Sequence, residues 1–328
     1  MKLFRRLFYD YQWCCAYRKL TDEEKKGSVI PEKDEIRTYN VVEMPRGYWA
    51  ADPFLLNDNG KYYLFFEYTN LKKDKAVLGA TELSHHAQVH YIYEFKGHTS
   101  YPCIFKFDNT MYMIPETCAE QELQLLMCKN LPYKWKKVGN LAENMTAVDS
   151  TPFYADGKAY LMVFCLEKAF SAKGNLYIGQ IDFETYRLKD FDIAQEYKSG
   201  HGRPAGACFS ENGKNYRAVQ FGEHYYGERI DFYEFFYESG KYSEKKCGEF
   251  CPEQIRLDKP YTIDGIHTIN RVGDYEVIDI RLAYKFDLFR PFKKVFQRLG
   301  IFGYQSSDRK MLYMNGKYPI HEDESPES

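Results

Sequence analysis

The chain has no excess charge of either sign: 45 Lys and Arg stand against 47 Asp and Glu, a formal net charge of −2. No global positive field exists to draw in a phosphate backbone, so a nucleic-acid partner is not expected. CxxC pairs are also missing. The nine cysteines are odd in number, and Cys103, Cys165 and Cys208 fall inside apolar strand patterns, where a thiol behaves as a small hydrophobe. Cys14 with Cys15, and Cys247 with Cys251, have no His or Cys companions at zinc-finger spacing, so neither a structural metal nor a cofactor is expected. A long hydrophobic run is absent as well. The opening MKLFRRLFYDYQWCCAYRKL is broken by Arg5, Arg6, Asp10 and Gln12, which argues against a signal peptide or a spanning helix. Reduced thiols and no leader lead to the expectation of a cytoplasmic protein.

What the chain does have is aromatic residues, 17% of the total with 30 Tyr and 24 Phe. Such rings favour strands, fill the spaces between sheets and suit stacking on sugar faces. They recur in a pattern. A polar residue opens an apolar run, a Gly or Asn/Asp turn follows, and then a second strand that usually bears Tyr. The copies begin near Ala51, Ser100, Asp149, Gly202 and Ile263, a period of roughly 50 residues, the length of one four-stranded propeller blade. The expected fold is therefore all-β: a five-bladed β-propeller with short helical extensions at both ends.

The expected organisation has three parts. Residues 1–33 form an N-terminal arm or helix ending in the charge run TDEEKKG, and residues 34–284 form the propeller. Within it, DEIRTYNVVEM from Asp34 is a lone strand suited to closing the ring by completing the last blade. Residues 285–328 hold an amphipathic helix and a disordered acidic tail. Over 287–302, Phe289, Phe292, Val295, Phe296 and Leu299 share one face and Arg290, Lys293, Lys294 and Arg298 another. That pattern suits either packing across the propeller or lying on an anionic membrane, peripherally on its inner face.

Inner strands of a propeller begin at the central channel, so their leading polar residues converge although they are distant in sequence. The leading residues are Asp52, Tyr101, Asp149, Arg203 and Asp264, accompanied by His98, Ser100, His201 and His267; Glu67, Glu116 and Gln220 follow in the next strand. Paired carboxylates beside a glycosidic bond supply an acid and a base or nucleophile, which makes Asp52, Glu116 and Asp149 the catalytic candidates and the others candidates for binding substrate. An Asp before Pro or Thr-Pro equally caps a turn. Arg203 either pairs with acids between blades or binds a phosphate or uronic acid through its fork. His98, His201 and His267 lie on three different blades and offer no local ligand spacing for a metal.

WAADPFL, HTSYPCIF with IPET, RPAGACF, YRAVQFGEHYYG and DGIHTIN, in that order, resemble the propeller family named after the N-terminal domain of glucosamine inositolphosphorylceramide transferase. That family is similar to the five-bladed arabinanase and levansucrase superfamily, which includes glycoside hydrolase family 43. The resemblance implies a sugar-handling propeller of surface polysaccharide or glycolipid assembly, acting on a sugar, nucleotide sugar or lipid-linked glycan by glycosyl transfer. It implies that Asp52 matches the hydrolases' first-blade base and Asp149 their second Asp. Their acid sits in a later blade, and here the fourth repeat opens on Arg203. Two alternatives remain, a carbohydrate-binding propeller without turnover and a hydrolase of the family 43 type.

Overall fold

The computed structural model describes residues 9–45, 48–70, 76–85, 88–93, 95–167, 173–197, 202–286 and 288. The helix expected over 287–302, apart from Leu288, lies outside them, as do the acidic tail and His201.

Five sheets, antiparallel except for one strand pair in the last, make a five-bladed propeller. The N-terminal segment contributes β1 (Tyr9–Lys19), the short helix α1 (Asp22–Lys26) and β2 (Arg37–Val41). Blade I is β3 (Tyr48–Asp58), β4 (Lys61–Asn70), β5 (Ala76–Glu82) and β6 (His90–Tyr93), and blade II is β7 (Ser100–Phe107), β8 (Thr110–Glu116), β9 (Glu122–Asn130) and β10 (Lys134–Glu143). Blade III is β11 (Ala147–Ala155), β12 (Lys158–Leu166), β13 (Gly174–Asp182) and β14 (Arg187–Glu196). Blade IV is β15 (Phe209–Glu211), β16 (Lys214–Phe221), β17 (Arg229–Glu238) and β18 (Lys241–Phe250). Blade V runs from β20 (Thr262–Val272) through β21 (Tyr275–Phe286), β1 and β2 to β19 (Ile255–Leu257), which pairs parallel to β2.

The hairpin turns follow from residue type. Asn59 with Gly60, Asp108 with Asn109, Asp156 with Gly157 and Asn212 with Gly213 each place two successive residues at positive φ, the geometry whose twist matches that of the flanking strands. Aromatics then pack between neighbouring blades: Phe54, Phe65, Tyr101 and Trp135 share one core, and Phe105, Tyr112, Phe183 and Tyr186 another.

Two chain ends close the ring, and they do so more deeply than a lone strand would. β2 is the expected closing strand. Residues Tyr9–Lys19, expected as an arm or helix outside the propeller, lie in blade V as β1, paired with β21 along its whole length. The run Trp13, Cys14, Cys15 and Ala16 is buried on both faces, the mark of an interior strand, which the nearby basic residues concealed. This closure centres on Glu276, fully buried, which meets Arg18 Nε at 2.7 Å, Tyr39 Oη at 2.6 Å, Arg37 Nη1 at 3.1 Å and Arg271 Nη2 at 2.6 Å. Burial works to raise its pKa, but Arg37, Arg271 and Arg18 outweigh it and hold the carboxyl below the ordinary range. Glu24 and Glu35 balance Arg18 and Arg37. One carboxylate thereby joins β1, β2 and both inner strands of blade V.

Glu276→Gln leaves three guanidinium groups around a neutral amide, and removing one member of a buried charge network typically costs about 3–5 kcal/mol. Urea unfolding should register a loss of that size; a variant within about 1 kcal/mol of the parent would place the closure elsewhere.

Candidate functional site

Each inner strand carries a β-bulge near its start, and the bulges fix which residues face the axis. Pairing shifts between Ala51 and Phe54, Ser100 and Cys103, Val148 and Thr151, and Ile266 and Ile269. In blade IV the Arg203 and Ala205 pairings with Gln220 and Ala218 give way to Phe209 with Tyr216, so the extra residues begin at Gly206. The bulge residues are therefore Asp52, Tyr101, Asp149, Gly206 and His267. Asp52, Tyr101 and Asp149 adopt φ of 52°, 47° and 46°, a left-handed conformation that bulges accommodate.

This corrects the single ring expected from sequence. Arg203 and Asp264 sit three residues ahead of the bulges, level with Trp49, His98 and Thr146, and make a separate ring. The inner ring is the more deeply buried: Asp52, Tyr101, Asp149 and His267 are at most 2% exposed, against 7% for Arg203 and 8% for Asp264. Gly206 is required where it stands, because at its φ of +136° a Cβ would lie 2.0 Å from the Ile269 carbonyl of blade V. A bulge register leaves no mark on residue type, so a three-residue offset could not be read from the repeats.

One charge cluster links blades II, III and IV. Arg203 donates through Nε to Asp149 Oδ2 and through Nη2 to Glu116 Oε2 at 2.8 Å, while Gln220 Nε2 donates to the same Asp149 oxygen at 2.6 Å. Burial works against the guanidinium's charge, but Asp149 and then Glu116 outweigh it and push its pKa well above the usual value. Around this cluster Asp149 Oδ1, Ser150 Oγ and Gln220 Oε1 are buried without a hydrogen-bond partner among the described residues.

A second cluster joins blades I and V. Asp52 accepts from Thr268 Oγ1 at 3.1 Å and from the Tyr101 amide at 3.3 Å, and its own amide donates to Asp279 Oδ2 at 2.9 Å. His267 lies between the two carboxylates, Nε2 3.0 Å from Asp52 Oδ1 and Nδ1 2.8 Å from Asp279 Oδ2. Neither contact meets hydrogen-bond geometry, so the pairing is mainly electrostatic. Burial alone would lower the imidazole pKa; Asp279 and Asp52 outweigh burial and push it up to about 9. Donor atoms of Asp52, His267 and Asp279 all lie within 4.8 Å of one another and form a group that could hold a cation. A histidine ligand must be neutral, so the proton held there competes with any metal.

The remaining candidates divide between these clusters and the frame. Glu67 is fully buried, with His98 Nε2 3.4 Å away; Ser100 is buried opposite Glu116 in the β7–β8 ladder. Tyr101 is a frame residue: its hydroxyl lies 2.8 Å from Thr151 Oγ1, donates to the Gly206 carbonyl at 3.1 Å and accepts from the Gly206 amide at 2.8 Å, tying blades II, III and IV. Asp264 pairs with Arg281 Nη2 at 2.7 Å, and that guanidinium lies within 5.9 Å of the Tyr11, Trp13 and Tyr225 ring centres. Burial, only partly countered by Asp264, lowers the Arg281 pKa. Trp13 and Tyr226 pack on the His267 ring with centroids 4.2 and 4.9 Å away. Asp279 and Arg281 were missed from sequence, although charged residues inside the apolar run YEVIDIRLAY were a signal, since a buried charge needs a partner.

The model of the family described as glucosamine inositolphosphorylceramide transferase 1, N-terminal, matches residues 11–252. The chain belongs to this family. Relatives carrying the name glucosamine inositolphosphorylceramide transferase 1 include one from Oryza sativa subsp. japonica, 28% identical over 199 residues, and one from Arabidopsis thaliana, 27% identical over 194. Those matches cover 56% of this chain but only 26% and 25% of the relatives, so the chain corresponds to about a quarter of each plant protein. In the solved structures the fold is shared with an alpha-L-arabinofuranosidase from Lactobacillus brevis, TM-score 0.50 at 14% identity over 69% of this chain and 80% of that one. It is also shared with the catalytic domain of a Coprinopsis cinerea GH62 alpha-L-arabinofuranosidase, TM-score 0.53 at 10% identity over 84% and 97%. The family match ends before β20 and β21, which carry His267, Asp279 and Arg281.

The raised His267 pKa carries a definite sign. An imidazole at about 9 when folded and about 6.5 when unfolded contributes stability that is complete below pH 6.5 and lost as pH rises through 9. Urea unfolding across that window should show a decline on the order of 3 kcal/mol, absent in His267→Gln; equal slopes for both proteins would mean that the ring is neutral.

Proposed function

We propose that this propeller handles sugars in surface polysaccharide or glycolipid assembly and acts by glycosyl transfer from a phosphate-activated or lipid-linked donor. Membership of the family supports the sugar-handling part of this reading. The observation that carries the choice of transfer is the bridge from Arg203 to Glu116 and Asp149. Hydrolysis of an unactivated glycoside needs a carboxylic acid that holds a proton until the bond breaks. Here Glu116 lies 2.8 Å from a guanidinium, a contact that favours the charged carboxylate, and the fourth inner-ring position, where a further acid could stand, is Gly206. A phosphate leaving group needs a nearby cation rather than a proton, and Arg203 supplies one. Asp52, fixed by Thr268, Tyr101 and His267, is the anionic group suited to a developing oxocarbenium ion or to an incoming hydroxyl. The buried acceptors Asp149 Oδ1, Ser150 Oγ and Gln220 Oε1 face the hydrogen-bonding demand that sugar hydroxyls satisfy. Residues 287–302 are the proposed contact with the cytoplasmic face of a membrane, where a lipid-linked glycan would be met.

A second reading, sugar binding without turnover, is favoured by one observation: the three candidate carboxylates all carry ion-pair partners, Asp52 with His267 and Glu116 and Asp149 with Arg203.

Transfer of radiolabelled sugar from nucleotide-sugar donors to membrane lipid, in cells or extracts, separates the two. Transfer, normalised to the amount of folded protein, should fall by roughly 10²-fold or more in Asp52→Asn and in Arg203→Lys. Full transfer in both variants would remove the axial residues from the chemistry, and tight sugar binding with no product from any donor would establish the second reading.

A further inference from the structure

A separate cavity of about 310 Å³ opens between blades II and III, lined by Gln121, Asn144, Met145, Thr146, Cys165, Leu166 and Tyr177. Its place in the register ties it to the axial site. Thr146 is the blade III member of the outer ring, three residues before Asp149, and Gln121 follows Glu116 across the turn that joins β8 to β9. Cys165 pairs with Ala147 in the β11–β12 ladder.

The cavity is built into the backbone. The Met145 amide donates to the Gln121 carbonyl at 3.3 Å, joining the two loops across the blade boundary. Thr146 Oγ1 donates to the Leu166 carbonyl at 2.8 Å, and the Leu166 amide returns a bond to the Thr146 carbonyl at 3.0 Å. Tyr177 is held by stacking on Phe191, centroids 5.2 Å apart. Gln121 and Asn144 have φ of 54° and 59°, a region where glycine is the unstrained choice.

The lining also differs from the axis in kind. The axial clusters are composed of ion pairs, whereas no charged residue is found among the described residues that line this cavity: two exposed carboxamides, a hydroxyl and a phenol accompany Met145, Leu166 and Cys165. Carboxamides and hydroxyls bond in both directions and suit sugar hydroxyls, while Met145, Leu166 and the Tyr177 ring suit the apolar face of a pyranose. At about 310 Å³ the volume lies at the small end for ligand sites and fits one sugar unit rather than a chain. A phosphate would find no cation among the described lining residues.

We infer that this cleft is a neutral-sugar subsite, holding an uncharged glycosyl unit of the acceptor while the axial site takes the charged donor. The division of roles rests on the transfer reading above; occupation of the cleft by a neutral sugar does not.

The test uses the full chain and ligand-observed NMR with methyl β-D-glucopyranoside, methyl β-D-galactopyranoside and methyl 2-acetamido-2-deoxy-β-D-glucopyranoside as neutral probes and UDP-glucose as the charged one. The double variant Gln121→Gly, Asn144→Gly removes both carboxamides yet suits the left-handed backbone, so its unfolding midpoint should equal or exceed the parent's. Two lost hydrogen bonds should weaken binding of at least one neutral glycoside about tenfold and leave UDP-glucose unaffected. Tyr177→Phe, which removes only a hydroxyl, should weaken the same probe less. Neutral probes that bind neither protein, or both equally, overturn the subsite. If the glycoside binds in the cleft but no donor yields product, the transfer reading fails and the subsite stands.

Discussion

Arg203 reaches across two blade boundaries, to Asp149 of blade III and Glu116 of blade II, and most of what the axis can do depends on that contact. Five inner strands that start at one axis bring their polar residues into a space with little water. Two carboxylates alone there would repel each other and pay a large desolvation cost. With the guanidinium between them they become a fixed array that orients Gln220. The same solution recurs at His267 between Asp52 and Asp279 and at Arg281 beside Asp264. Every one of these pairs joins different strands, so the site is also a set of ties between them.

Ring closure makes this possible. Blades held only by neighbour contacts would let the axis spread, and His267, Asp279 and Arg281 all stand on the two strands nearest the closing seam. Glu276, on the same β21 strand, anchors that seam to Arg18 and Arg37 of the N-terminal segment. Stability of the outer edge and geometry of the axis are thus linked through one strand, which carries Glu276, Asp279 and Arg281 within six positions of one another.

Much of the fold was legible in the sequence, since its signals are local. Asn-Gly and Asp-Gly turns between Tyr-bearing strands fix the hairpins, and the repeat length fixes the blade. β1 was harder, because the continuous apolar run over residues 13–17 does not by itself tell a strand from a helix and it lies amid basic residues that also suit a helix. The site was legible in part. Asp52, Glu116, Asp149, Arg203, Gln220 and His267 were all singled out, but which of them pair, and the further partners Thr268 and Asp279, were not, for pairing depends on bulge register. A three-residue offset moved Arg203 and Asp264 out of the Asp52 ring and brought His267 into it. Asp279 lacked a leading position in any repeat and became visible only when β21 was seen to face the blade V bulge.

The relation to the arabinofuranosidases is one of fold, and the proposed chemistry rests on the charges at this axis. A hydrolase site separates a protonated acid from an ionised partner; here one guanidinium binds both Glu116 and Asp149. The protonation state of Glu116 decides between these designs. Isotope-edited infrared spectroscopy of the chain with 13C-labelled glutamate carboxyl groups, differenced against Glu116→Gln, reads it directly. The account predicts a carboxylate band from Glu116 throughout the range of about pH 5 to 8, above the ordinary glutamate pKa; a protonated carboxyl band persisting at pH 7 would contradict it and return the propeller to acid-catalysed glycoside cleavage.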